Sequence, residues 1–222
     1  MTQLASRGAA LFPSWAQALH TATGIDPEYE ASGMLVLPPF NSYAAQQWCR
    51  AHDVPFELVQ ATQIVPKRTR RGILLAGSGA GTQSALDACI ARSRGNAGGR
   101  IIEQCEVRNI VAENGLVQTI ETSSGEFSAD NYIVTAGAWS KQVLGQYALK
   151  MEIKPIRGQM LLFKFLQPPL RHIILQKEMY LIPRRDGHLL VGSTLEDVGF
   201  DKMNTQDAHD NLRLRAEALL PR

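Results

Sequence analysis

A mixed α/β (α+β) fold on a largely antiparallel sheet is what this sequence predicts, and three patterns predict it. Two alternating apolar runs between 173 and 194 flank Arg185-Asp186-Gly187, a turn tripeptide whose glycine accepts positive φ where strands reverse. From 100 to 135, Glu113-Asn114-Gly115 and Ser123-Ser124-Gly125 punctuate strand-like runs in the manner of a β-meander. Helical patterns over about 4–23, 82–94 and 205–220 supply covering elements. Strands at 33–38, 154–166, 173–183 and 188–194 are expected to share one sheet, with the meander forming a second, smaller one.

Residues 4–23 place Leu4, Leu11, Trp15 and Leu19 near one helical face, with Pro13 as an irregularity. Thr23-Gly24 ends that helix, because glycine accepts the left-handed cap. Gly33 to Pro38 is a short apolar strand stopped by Pro38-Pro39. Asn41 or Ser42 caps a helix over about 43–51, and Phe56 to Val59 is a second strand. The basic run Lys67-Arg68-Thr69-Arg70-Arg71 precedes the strand Gly72–Ala76 and reads either as a solvated loop or as a phosphate-binding patch.

Gly77-Ser78-Gly79-Ala80-Gly81 follows that strand, precedes a helix, and is followed by Glu103 on a further strand. This is the order of a dinucleotide fingerprint. The spacing fails: the third glycine belongs three residues after the second, where helix packs on strand, and Thr82 stands there. A flexible connector is the expectation.

The meander comprises Arg100–Val111, Leu116–Thr122 and Glu126–Thr135. Asn131 to Ser140 then reads as a buried strand ending in small residues. These permit a close approach by backbone or ligand, or simply make a strand-end turn beside a packed tryptophan. A strand at 151–166 is broken at Gly158. In the hairpin, Met179, Leu181, Leu189 and Val191 belong to the packed surface, while Tyr180, Ser193, Thr194 and Glu196 cluster at its far end. Pro183 lacks a ladder donor, so its strand is expected to bend or lie at an edge. A helix over 205–220 starts at a Thr205 cap and stops at Pro221.

Formal charge is +2, from 23 basic and 21 acidic residues, too balanced to suggest nucleic acid or an anionic membrane as partner. No apolar stretch approaches the roughly 20 residues that cross a bilayer, and the N-terminus does not read as a secretory signal. Cys49, Cys89 and Cys105 are widely spaced and odd in number, which fits reduced thiols in the cytoplasm. The five histidines show no metal-ligand spacing, and no metal is expected.

The Tyr-x-x-Pro-Arg-x-x-Gly run at 180–187, leading into Val191-Gly-Ser-Thr-x-Glu-x-x-Gly-Phe-Asp201, resembles the amine-oxidising flavoproteins related to D-amino-acid oxidase. Within that group it looks most like the glycine oxidases of thiamine biosynthesis. Further stretches carry the same resemblance: Thr23-Gly-Ile-Asp26 with Ser32-Gly-Met-Leu35, Thr135-Ala-Gly-Ala-Trp-Ser140, and Pro155-Ile-Arg-Gly-Gln-Met160. The resemblance implies FAD as cofactor and a Rossmann-like FAD-binding domain of which 99–148 is a remnant. Substrate-domain residues would lie at 1–98 and 149–204, with a terminal helix at 205–222.

It also implies roles. Val107 would offer backbone groups to the adenine, and Ala136, Gly137 and Trp139 would lie along the dinucleotide. Tyr180 would reach the substrate carboxylate, with Glu178 and Met179 beside it, and Leu195 would wall the flavin face. The implied reaction is oxidative deamination of a small amino acid by hydride transfer from a neutral amine to flavin, with O2 as acceptor. It needs no side-chain base.

The family's opening G-x-G-x-x-G and closing carboxylate-gripping arginine have no counterpart between Met1 and Arg222. The stretch is therefore expected to be an internal fragment, inactive and weak in FAD binding when alone, and to form a homo-oligomer. The alternatives are another branch, such as a D-amino-acid or sarcosine oxidase or dehydrogenase, and a non-catalytic binding module.

Overall fold

The computed structural model describes residues 2–63, 65, 71–81, 83–96 and 98–220. Two compact units emerge: residues 1–99, 158–195 and 203–222 form one, and residues 100–157 with 196–202 form the other. The basic stretch 66–70, Thr82 and Pro221 lie outside the described residues, as does the side chain of Leu4.

The first unit contains helices α1 (Thr2–Thr23), α2 (Ser42–Ala51), α3 (Gln83–Asn96) and the C-terminal helix Gln206–Glu217. Its strands are β1 (Met34–Leu37), β2 (Phe56–Gln60), β3 (Arg71–Leu75) and four later ones at Met160–Lys164, Ile173–Gln176, Met179–Pro183 and His188–Gly192. In chain order these four are β7, β8, β9 and β10, because β4 to β6 belong to the second unit. The sheet order is β2-β3-β1-β8-β9-β10-β7. All neighbours are antiparallel except β1 and β8.

Period-two alternation decides which face is buried. Leu35, Leu37, Ile174, Met179, Leu181, Leu189 and Val191 share one face, at 0–1% exposure. Ala216, Leu219 and Leu220, at the end of the C-terminal helix, complete the cluster. Each fully buried Leu, Val or Met side chain contributes about 1.5–3 kcal/mol of transfer free energy.

The expected strand at 173–183 is two strands. Lys177 takes φ +54° between them, and the chain reverses into a second hairpin. Pro183 is neither at an edge strand nor at a bend: it is the last residue of β9, which lies between β8 and β10. A strand end is where one missing donor costs the ladder least. The turn after it is closed by Gly187 N–H donating to Arg184 O at 3.0 Å. Gly187 has φ +87°, and a Cβ there would clash with Phe165 O. Glycine is required on both counts.

In α1, Ala16, Leu19 and Thr23 are buried while Leu11 and Trp15 are exposed, so the packed stripe lies to one side of the expected face. Phe12 meets the rings of Trp15 and Tyr29 instead, with centroids 5.7 and 5.1 Å away. The glycine connector after β3 is packed by its own chain: a Cβ on Gly79 would fall 2.5 Å from Glu30 O and 2.8 Å from the Tyr29 ring. Close backbone approach to residues 27–30 explains Gly79 and Gly81, whereas Gly77 has open space and takes φ +76°.

The second unit holds the meander β4 (Val107–Glu113), β5 (Leu116–Thr122) and β6 (Gly125–Phe127), with a short helix α4 at Ser140–Leu144 packed against β4. Asn114 and Gly115 both take positive φ, as an Asn-Gly hairpin requires. The third strand ends at Phe127, and residues 131–136 pair with no strand among the described residues. Ile133 is 86% exposed there, so the expected buried strand is not observed. A strand needs a partner for its backbone groups, and this unit supplies none at that position. Likewise only Met160–Lys164 of the expected strand 151–166 is sheet.

Candidate functional site

Antiparallel partners share a face, so the register fixes what surrounds Tyr180. Gly192 stands opposite it on β10, Leu175 opposite it on β8, and Met160 opposite Gly192 on β7. The next row on this face is Ile182, Leu190 and Leu162. Among the described residues no helix covers these side chains as the C-terminal helix covers the other face: Leu162 is 60% and Met160 52% exposed. Tyr180 is half-buried among them, and its hydroxyl donates to Met160 Sδ at 3.4 Å.

Charged groups gather at the far end of this face. There Lys164 Nζ donates to Asp186 O at 2.5 Å, and His188 pairs with the Asp186 carboxylate. Backbone and side-chain hydrogen bonds from His188 hold the Asp186 carboxyl below the ordinary carboxylate range. Met179, expected beside Tyr180, points into the core on the opposite face and is fully buried. Strand alternation makes that unavoidable for a direct neighbour.

Leu195 follows the hairpin and is 69% exposed. The chain before it is anchored by Gln159, a buried amide that the sequence reading missed. Gln159 N–H donates to Thr194 Oγ1 at 2.9 Å, its Oε1 accepts from Thr205 N–H at 2.8 Å, and its Nε2 donates to Thr205 Oγ1 at 3.0 Å. Thr205 is also the N-cap of the C-terminal helix. Backbone and side chain of one residue thus tie the start of β7, the end of β10 and a helix terminus, a convergence that no local sequence signal announces.

In the second unit, Ala136, Gly137 and Trp139 occupy one turn, with Gly137 at φ +54°. A Cβ on Gly137 would meet nothing within 4 Å, and Trp139 is 46% exposed. Its ring lies 5.4 Å from that of Phe200, and Lys202 Nζ sits 5.4 Å from its centroid. The loop carrying Phe200 and Lys202 is pinned by Arg157. This guanidinium grips Glu196 Oε2 at 2.6 Å and Asp201 Oδ2 at 2.7 Å, while its backbone exchanges two hydrogen bonds with Glu196. Both carboxylates raise the Arg157 pKa, Glu196 foremost. Val107 begins β4, an edge of its sheet, so backbone groups along one side of that strand have no strand partner among the described residues.

The family profile described as FAD dependent oxidoreductase matches residues 1–222. The chain belongs to that family. Family membership brings FAD as the cofactor, and the second unit fits it: an open edge strand, a turn of small residues with free space above Gly137, and an exposed indole suit an extended dinucleotide.

Among relatives of this family member, the glycine oxidase of Pseudomonas aeruginosa is 36% identical over 238 residues, covering 100% of this chain and 63% of the relative. That of Pseudomonas putida is 32% identical, covering 100% and 62%. The crystal structure of glycine oxidase from Geobacillus kaustophilus superposes with TM-score 0.89 at 24% identity, over 99% of this chain and 62% of that one, and shows the fold. The chain thus spans less than two thirds of the length of these relatives. Among the described residues no helix is long and apolar enough to cross a membrane, and no cluster of His, Cys, Asp or Glu could hold a metal ion.

Proposed function

We propose that the protein acts as an amino-acid oxidase of the glycine-oxidase kind, converting glycine or another small amino acid to its imine, with O2 as the final acceptor. The observation that carries this reading is Tyr180: a hydroxyl on an apolar, uncovered sheet face whose acceptor within the chain is a thioether. When bound, FAD supplies the two-electron acceptor for the hydride from the α-carbon.

The chain's own residues bind and orient. The Tyr180 hydroxyl donates to the substrate carboxylate, fixing the α-hydrogen in one direction. Leu195 offers an apolar wall toward the flavin side. Val107 offers backbone groups to the adenine, and Ala136, Gly137 and Trp139 run along the dinucleotide. Because the hydrogen leaves as hydride from a neutral amine, no side-chain base is required.

Tyr180→Phe in the flavin-loaded, longer protein tests the reading. KM for glycine should rise about 10- to 100-fold, the worth of one hydrogen bond to a charged group, with the melting temperature held. Unchanged kinetics with a lowered melting temperature would mean that the phenol only packs. The 222-residue polypeptide alone is expected to bind FAD weakly, because its candidate contacts are a few backbone bonds and one ring, each bond worth about 0.5–1.5 kcal/mol against several kcal/mol of lost freedom. Submicromolar affinity in a flavin-fluorescence titration would contradict that.

A homo-oligomer is part of this proposal, supported by exposed apolar groups such as Ile133 and Leu149, at 86% and 90%. Cytoplasmic location is part of it too, supported by Cys49, Cys89 and Cys105, all free thiols.

A further inference from the structure

We propose that Met160 and Gly192 are positioning residues that set the Tyr180 hydroxyl for a substrate carboxylate, an inference that rests on the amino-acid-oxidase reading above. Gly192 lies between the other two, opposite Tyr180 on one side and Met160 on the other. A Cβ at 192 would stand 2.8 Å from the Tyr180 hydroxyl oxygen, 2.9 Å from its Cζ and 2.9 Å from Met160 Cγ. Only glycine lets phenol and thioether meet above the strand. A glycine in a strand often marks a close approach; at the end of β10 its vacant side-chain position is filled by these two neighbours.

The acceptor they provide is chosen by chemistry. A thioether sulfur accepts weakly, so at 3.4 Å it orients the hydroxyl without holding it firmly. A carboxylate forms shorter bonds, roughly twice as strong as neutral ones, and displaces the sulfur. Leu175, Ile182, Leu190 and Leu162 have no polar side-chain atoms, and Lys164 and His188 are engaged with Asp186 at the far end.

Met160→Gln and Met160→Leu separate this role from simple packing. Both side chains are close to methionine in size, but glutamine offers a strong carbonyl acceptor and leucine offers none. With tyrosine labelled at the ζ-carbon by 13C, and the Tyr180 signal assigned through Tyr180→Phe, the two variants should move that signal in opposite directions. In the flavin-loaded longer protein, KM for the amino acid should be about 2- to 10-fold higher for the glutamine variant than for the leucine variant, at similar kcat, the span of one neutral hydrogen bond. Gly192→Ala should displace the ring and raise KM further; if it fails to fold, the Met160 pair decides. A signal that ignores both Met160 changes while amino acids are still oxidised overturns the seat alone. A signal that moves as expected with no amino-acid oxidation overturns the carboxylate role and the reading beneath it.

Discussion

The seven-stranded sheet and the three-stranded meander solve the problem of apolar surface in opposite ways. In the first unit, alternating side chains of β1, β8, β9 and β10 meet the end of the C-terminal helix, and Leu35, Ile174, Leu181 and Val191 reach 0% exposure. In the second, Leu116, Ile133 and Leu149 are 68%, 86% and 90% exposed, and residues 131–136 run beside no strand. Both regions contain strand-forming residues and good turn signals. The difference lies in partners: one sheet finds a second layer within these residues, whereas three strands make no layered core by themselves.

The sharpest test of that contrast is a pair of truncations. Leu181→Ala removes a fully buried side chain from the middle of the sheet and should cost about 2–5 kcal/mol. Ile133→Ser, at 86% exposure, should stay within about 0.5 kcal/mol and should lessen self-association. Urea unfolding and sedimentation read both. Comparable losses at the two positions would mean that 131–136 is covered in solution.

The same contrast marks what was legible in the sequence. Local signals sufficed for the hairpin at Arg185-Asp186-Gly187, the Asn114-Gly115 turn, the Thr23-Gly24 helix end and the Thr205 cap, because each is decided by a few adjacent residues. Failures occurred where a distant partner decides. The run 173–183 is apolar except at Gln176-Lys177-Glu178, and Lys177 reverses it there; the run 126–135 has strand composition, yet no neighbour pairs beyond Phe127 among the described residues. At the candidate site, Tyr180 was readable through its motif. Gly192 and Met160 were not, because only cross-strand register brings residues 160, 180 and 192 side by side. Gln159 was missed for the same reason, since its partners lie 35 and 46 residues away.

Two glycines sharpen the comparison at smaller cost. Gly79→Ala in the first unit would drive a methyl to 2.5 Å from Glu30 O, against backbone that cannot swing aside. Overpacking of that kind costs about 1–3 kcal/mol. Gly137 in the second unit has open space but φ +54°, so alanine there should cost only the left-handed strain, about 1–2 kcal/mol. Asparagine, which tolerates that conformation, should recover part of the loss at 137 and none at 79. Melting temperatures of the four variants decide it, and rescue at both positions would remove crowding as the explanation for Gly79.

The smallest effect belongs to the turn that closes the first unit's hairpin. Asp186 Oδ1 accepts from His188 N–H at 3.0 Å, and this bond, with the side-chain pairing to His188, lowers the Asp186 pKa below its ordinary 3.8. A carboxyl depressed in the folded state binds fewer protons there than in the unfolded chain. Its stabilising contribution is therefore complete above the ordinary value and disappears as pH falls through the lower, folded one. The Asp186 side chain is 59% exposed, so solvent screens most of the effect. Asp186→Asn should lower the melting temperature slightly near neutral pH, and the gap from the parent should close as pH drops from about 5 toward 2. The meander's Gly125 turn is closed without a titrating carboxylate: Thr122 Oγ1 donates to Gly125 O at 2.7 Å and accepts from Ser124 N–H at 3.1 Å. Amide exchange at Gly125 should accordingly show no acid-dependent opening in that window beyond the intrinsic change in exchange rate, while Gly187 and His188 should. Equal acid sensitivity at both turns would assign the effect to the net charge of the chain instead of to Asp186.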